Sequence, residues 1–126
     1  MSRKTIKLAS PYKSSEIMGD DELNLEVYGR VLKNEPRKND YELVYKRLLK
    51  IQNIAESHLQ NWQNGESPEE SKFLTVYSQS QKAFILLKEI ESSGEIKGIE
   101  ATISKQEQLI NNIETLAAQK GFEIKK

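Results

Sequence analysis

The chain has 126 residues, 37% hydrophobic and 30% charged, with nineteen basic residues balancing nineteen acidic ones and no cysteine. That length supports one core, and so polar a composition requires the core to come from well-placed apolar stripes. The neutral balance argues against coating nucleic acid or membrane by bulk charge, and the lack of cysteine excludes disulfides, thiolate nucleophiles and cysteine-held metals.

Residues 1–19 carry Arg3, Lys4, Lys7 and Lys13 with little periodicity, the pattern of a flexible basic arm that is either a solvated tail or a contact for phosphate or a partner. Within it, residues 4–8 alternate weakly, as a short strand does. No apolar run of the kind found in a secretory signal follows these charges, and no stretch of roughly eighteen apolar residues occurs anywhere, so the expectation is a soluble, cytoplasmic protein. Residues 20–126 read as one domain.

Asp20, Asp21 and Glu22 suit a helix start, where carboxylates complement exposed N–H groups. The segment that follows is ambiguous. Leu23, Leu25, Val27 and Val31 fall at strand spacing, whereas Leu25, Tyr28 and Leu32 fall at helical spacing. Helix is the expectation, weakened by Gly29 and ended by Pro36.

A long helix is expected over residues 39–63. Tyr41, Val44, Leu48, Ile51, Ala55, His58 and Trp62 recur at steps of three and four, the signature of a helix burying one face. Asn39 serves as its cap, with Glu42 three residues on and Gly65 closing it. Ser67, Pro68 and Glu70 have the form of a second start, with a Ser cap, proline at the first helical position and an acid three residues after the cap. The helix that follows, to residue 92, has the stripe Phe73, Val76, Tyr77, Ser80, Ala83, Phe84, Leu87 and Ile90. Leu74, Ile85 and Leu86 lie outside that stripe, so this helix is expected to sit centrally or to offer those three residues as an assembly face.

The last helix, Ile99–Lys120, repeats the spacing with Ile99, Ile103, Gln106, Ile110, Ile113 and Ala117. Gly121 followed by Phe122 fits a Schellman stop, with the apolar side chain folding back on the final turn. Short links between three long helices place them side by side and mostly antiparallel. The expected fold is therefore all-α, a bundle of three long helices plus a shorter N-terminal element and the flexible arm. Steps sustained over three heptads also permit pairing between chains, so a homo-oligomer is expected.

Chemistry is sparse. The single histidine, His58, lies on an apolar stripe, where a satisfied core or interface imidazole is expected rather than a ligand or general base. No HExxH motif occurs, and Glu56 stands two residues from His58 instead of the three that a Glu-x-x-His bundle site uses. The glycines are scattered singly, which leaves no phosphate-cradling loop. Acid pairs such as Glu69 with Glu70 and Glu89 with Glu91 are explained by helix ends and wet faces. The reading is non-enzymatic, with no cofactor, no metal and no small-molecule substrate.

The feature with most potential for specificity is a basic cluster of Lys33, Arg37, Lys38, Lys46, Arg47 and Lys50, interrupted by Asp40 and Glu42. These six residues are candidates for contact with nucleic acid or with a protein partner.

The order of elements in the second half of the chain resembles small terminase subunits of tailed phages. The resemblance rests on a helix ending near Trp62, the Ser67-Pro68-Glu69-Glu70 start, a helix carrying Tyr77 and Gln79, and a closing Gln119-Lys120-Gly121-Phe122. It implies recognition of packaging DNA and assembly into rings, although no helix-turn-helix aligns at the N-terminus. Two functions are thus expected: a small helical adaptor that self-associates and binds a protein partner, or a DNA-binding adaptor using residues 33–50.

Overall fold

A computed structural model describes residues 17–124, with side chains from Leu25 onward. Four helices form the fold: α1 (Ile17–Lys33), α2 (Lys38–Gln63), α3 (Glu70–Ser93) and α4 (Ile99–Lys120). They pack as an all-α bundle, one shorter helix followed by three long ones. The arm and the short strand expected within residues 1–19 lie outside the described residues, except that residues 17–19 already belong to α1. The ambiguity over residues 20–34 is resolved as helix, and Asp20 to Glu22 fall inside α1 rather than ahead of it.

The helices do not pack equally. α3 touches all three others, α2 does likewise, and among the described residues α1 and α4 do not touch each other. α2 and α3 are therefore the central pair, with α1 on one flank and α4 on the other, so the outward faces of α2 and α3 point away from each other. α3 is central because its apolar residues exceed one stripe, and the excess is what α1 covers.

The core has two apolar halves. One is built by all four helices from Leu25, Leu32, Val44, Leu48, Ile51, Ala83, Leu86, Leu87, Ile90, Ile99 and Ile103. In the other, the buried residues among those described come from α2, α3 and α4: Ala55, Leu59, Trp62, Phe73, Val76, Tyr77, Leu109, Ile113, Leu116 and Ala117, closed by the partly buried Phe122 and Ile124. An aromatic row runs through this second half: His58 stacks on Trp62 at 5.6 Å, Trp62 meets Phe73 at 5.0 Å, and Phe73 meets the edge of Phe122 at 5.0 Å.

Between the halves lies a buried polar layer of Gln52, Gln79, Ser80 and Gln106. Gln52 Nε2 donates to Gln106 Oε1 at 2.7 Å and to the Thr102 carbonyl at 3.2 Å, and Gln106 Nε2 donates to the Ser80 carbonyl at 2.8 Å. The Tyr45 hydroxyl meets Thr102 Oγ1 at 2.6 Å beside this layer. The amides of Gln52 and Gln106 are tolerated in the core because they are hydrogen-bonded, and the bonds fix the heights of α2, α3 and α4 relative to one another.

The helix ends correct two expectations. α2 starts at Lys38, with Arg37 as its cap and Asn39 already inside the helix. The reason is Asp40, whose Oδ2 accepts from the Arg37 backbone N–H at 2.9 Å and so satisfies the chain entering the first turn. α3 starts at Glu70 after the extended Glu69, which leaves Ser67 and Pro68 in the lead-in. The other ends match expectation. Gly65 and Gly121 take positive φ, Glu66 N–H bonds the Asn61 carbonyl at 3.0 Å, and Phe122 N–H bonds the Ala117 carbonyl at 2.9 Å. Both are Schellman closures, in which glycine supplies the left-handed residue.

Candidate interaction surface

Among the described residues, three large apolar side chains remain well exposed: Val27 on α1, Leu43 on α2 and Ile85 on α3. Of the three residues expected on an assembly face, Ile85 alone is free, 57% exposed. Leu86, at 7%, is core, because α1 lies over it: a Cβ built on Gly29 would stand 3.7 Å from Leu86 Cδ2. Leu74 is half-buried against the three-helix half of the core. The expected face thus shrinks to Ile85 and gains residues from α4 that spacing alone did not identify.

Those residues line a groove of about 410 Å³ between α3 and α4, walled by Gln81, Phe84, Ile85, Glu107, Ile110 and Asn111. Phe84 and Ile110 are half-buried, so the groove floor is apolar, and Glu107 is the one ionisable residue in its lining. On its other side Ile85 also borders a shallower groove of about 170 Å³ between α1 and α3, together with Leu25, Gly29, Lys33, Lys82 and Glu89. Ile85 is therefore a ridge with a depression on each flank.

All six residues of the basic cluster are exposed. They do not converge on one patch. Lys33 borders the groove between α1 and α3, Arg37 and Lys38 stand at the start of α2, and Lys46 lies about 12 Å further along that helix at 1.5 Å per residue. Lys46, Arg47 and Lys50 do share the outward face of α2 with Leu43, at spacings of three, four and seven residues. No ion pair among the described residues engages these three cations; Lys88 pairs with Glu91 at 3.2 Å and Lys105 with Glu56 at 3.4 Å.

Two groups have altered acidity. Burial holds the His58 imidazole below its ordinary value, with the nearby Lys72 cation acting in the same direction and Glu66 opposing it. Burial, followed by the hydrogen bond to Glu114, pushes the Tyr77 phenol up to about 12. The Tyr77 hydroxyl donates to Glu114 Oε2 at 2.6 Å and accepts from Gln81 Nε2 at 3.0 Å, which ties α3 to α4. His58 has Trp62 as its ring neighbour, and Tyr77 is held by an acid that favours its protonated form. Neither arrangement poises a base against a nucleophile. A polar depression of about 590 Å³ between α2 and α4, lined by Asn53, Glu56, Ser57, Gln60, Lys105 and Gln108 among others, is spanned by the bridge between Lys105 and Glu56. Among the described residues, no group of three His, Asp or Glu side chains is placed to hold a metal ion, and no helix is long and apolar enough to cross a membrane.

No family model matches this sequence, and neither a curated protein nor a solved structure matches it.

Proposed function

We propose that this chain is a small non-enzymatic interaction protein that self-associates and binds protein through the outward face of α3. The observation that carries the reading is Ile85, 57% exposed at the middle of a helix otherwise covered on three sides, beside a groove floored by Phe84 and Ile110. A single exposed apolar residue is ordinary on a protein surface, whereas a ridge joined to an apolar groove is the form of a docking surface. Burying a side chain of that size gains roughly 1.5 to 3 kcal/mol, enough to anchor a contact when its neighbours exclude water. A concentration series by sedimentation velocity tests the reading: the weight-average mass should rise above the 14.5 kDa of one chain as concentration increases.

The outward face of α2 favours a second reading, in which Lys46, Arg47 and Lys50 contact DNA phosphates. On that reading Arg47→Glu with Lys50→Glu weakens retention of a labelled duplex at low salt, and retention by the unaltered chain falls steeply as salt rises. Equal retention by the two proteins would sink it.

A further inference from the structure

We infer that the partner for the groove between α3 and α4 is the outward face of α2 on a second copy of this chain, seated head to tail with Leu43 in the groove. This rests on the self-associating reading above and names the surface that completes it.

Among the described residues Leu43 is the second most exposed large apolar residue, at 53%, and it lies on the opposite side of the central helix pair from Ile85. Around it stand Lys46 and Arg47 on the next turn and Lys50 on the turn after, none of them in an ion pair among the described residues. The groove has the complementary character. Glu107 lies in its lining and is the one charged residue there, on an otherwise apolar and neutral polar wall. The volume of about 410 Å³ exceeds one leucine side chain and leaves room for the apolar stems of Lys46 and Arg47 to lie along the walls with their charges toward Glu107. Opposite charge across such a contact sets its orientation and register.

The alternative of two α3 faces meeting about a two-fold axis would bring the Glu107 carboxylates of both copies into one contact and leave Leu43 exposed. Like charges juxtaposed in that way are unfavourable. A contact between two different surfaces on opposite sides of the molecule does not close in a dimer, and each copy keeps one surface free for the next. The product is a ring or an open filament, according to the angle between successive copies.

Leu43→Glu and Ile85→Glu, made singly in the full chain, provide the test, because each spoils one of the two surfaces and leaves the other intact. Both positions are exposed, and unchanged helicity by circular dichroism checks that each variant folds. Light scattering should give single-chain mass for each variant alone and about twice that mass for their equimolar mixture, since the intact groove of one accepts the intact leucine face of the other. Assembly that survives Leu43→Glu, or a mixture that stays at single-chain mass while the unaltered chain assembles, overturns the head-to-tail contact and leaves self-association standing. An unaltered chain that remains at 14.5 kDa at every concentration overturns both.

Discussion

Gln52 on α2 and Gln106 on α4 share a buried hydrogen bond of 2.7 Å that divides the core into its four-helix and three-helix halves. Each amide also donates to a backbone carbonyl, Gln52 to Thr102 and Gln106 to Ser80, but Gln106 Oε1 depends on Gln52 for its donor. Gln52→Leu strands that oxygen away from water, and a buried polar group left unpaired costs about 1 to 3 kcal/mol. Replacing both by leucine removes the unpaired group and should recover much of that loss. Urea unfolding of the two single variants and the double variant checks this, and additive losses would show that the two side chains act independently.

Tyr77 and Glu114 make the corresponding tie in the three-helix half. With the phenol pushed up to about 12, ultraviolet titration should find one tyrosine ionising near that value, and Tyr77→Phe should remove that step. The sign follows from the raised value. The folded state holds the proton more tightly than the unfolded one, so the stabilisation is complete below about pH 10 and is lost as pH rises from there through about 12. If the late step persists in Tyr77→Phe, the assignment is wrong.

His58 acts in the opposite direction. Its imidazole, stacked on Trp62, is held below its ordinary value of 6.5, so the unfolded chain takes up the proton first as pH falls. Stability is therefore at its full value above about pH 6.5 and declines as pH drops through and below it. Melting curves at stepped pH should show that decline in the unaltered protein and lack it in His58→Gln. Overlaying pH profiles would remove His58 as its source.

Most of the architecture was legible in the sequence because apolar spacing records which face of each helix is buried. Val44, Leu48, Ile51, Ala55 and Trp62 are all core, as their steps of three and four require. The glutamines were less legible. Gln106 sits at a core step and Gln52 beside one, yet only the folded chain shows that they meet across 54 positions of sequence. Helix starts were misplaced for local reasons: Asp40 reaches back to the Arg37 amide and moves the cap ahead of Asn39, and Pro68 lies in extended lead-in rather than in the first turn. The surface was the least legible part. Leu86 and Ile85 look alike in sequence, and what separates them is where α1 lies, a relationship between distant segments that neighbouring residues do not encode. The same applies to Lys33, which the fold carries to the groove between α1 and α3, away from Lys46, Arg47 and Lys50 on α2.

The assembly surface proposed on the outward face of α3 is tested most directly by Ile85→Glu compared with the unaltered chain. Because Ile85 is exposed, its replacement should change unfolding stability by no more than about 0.5 kcal/mol, while light scattering at matched concentration should show the mass falling from a multiple of 14.5 kDa to that of one chain. Equal masses for the two proteins would contradict the claim.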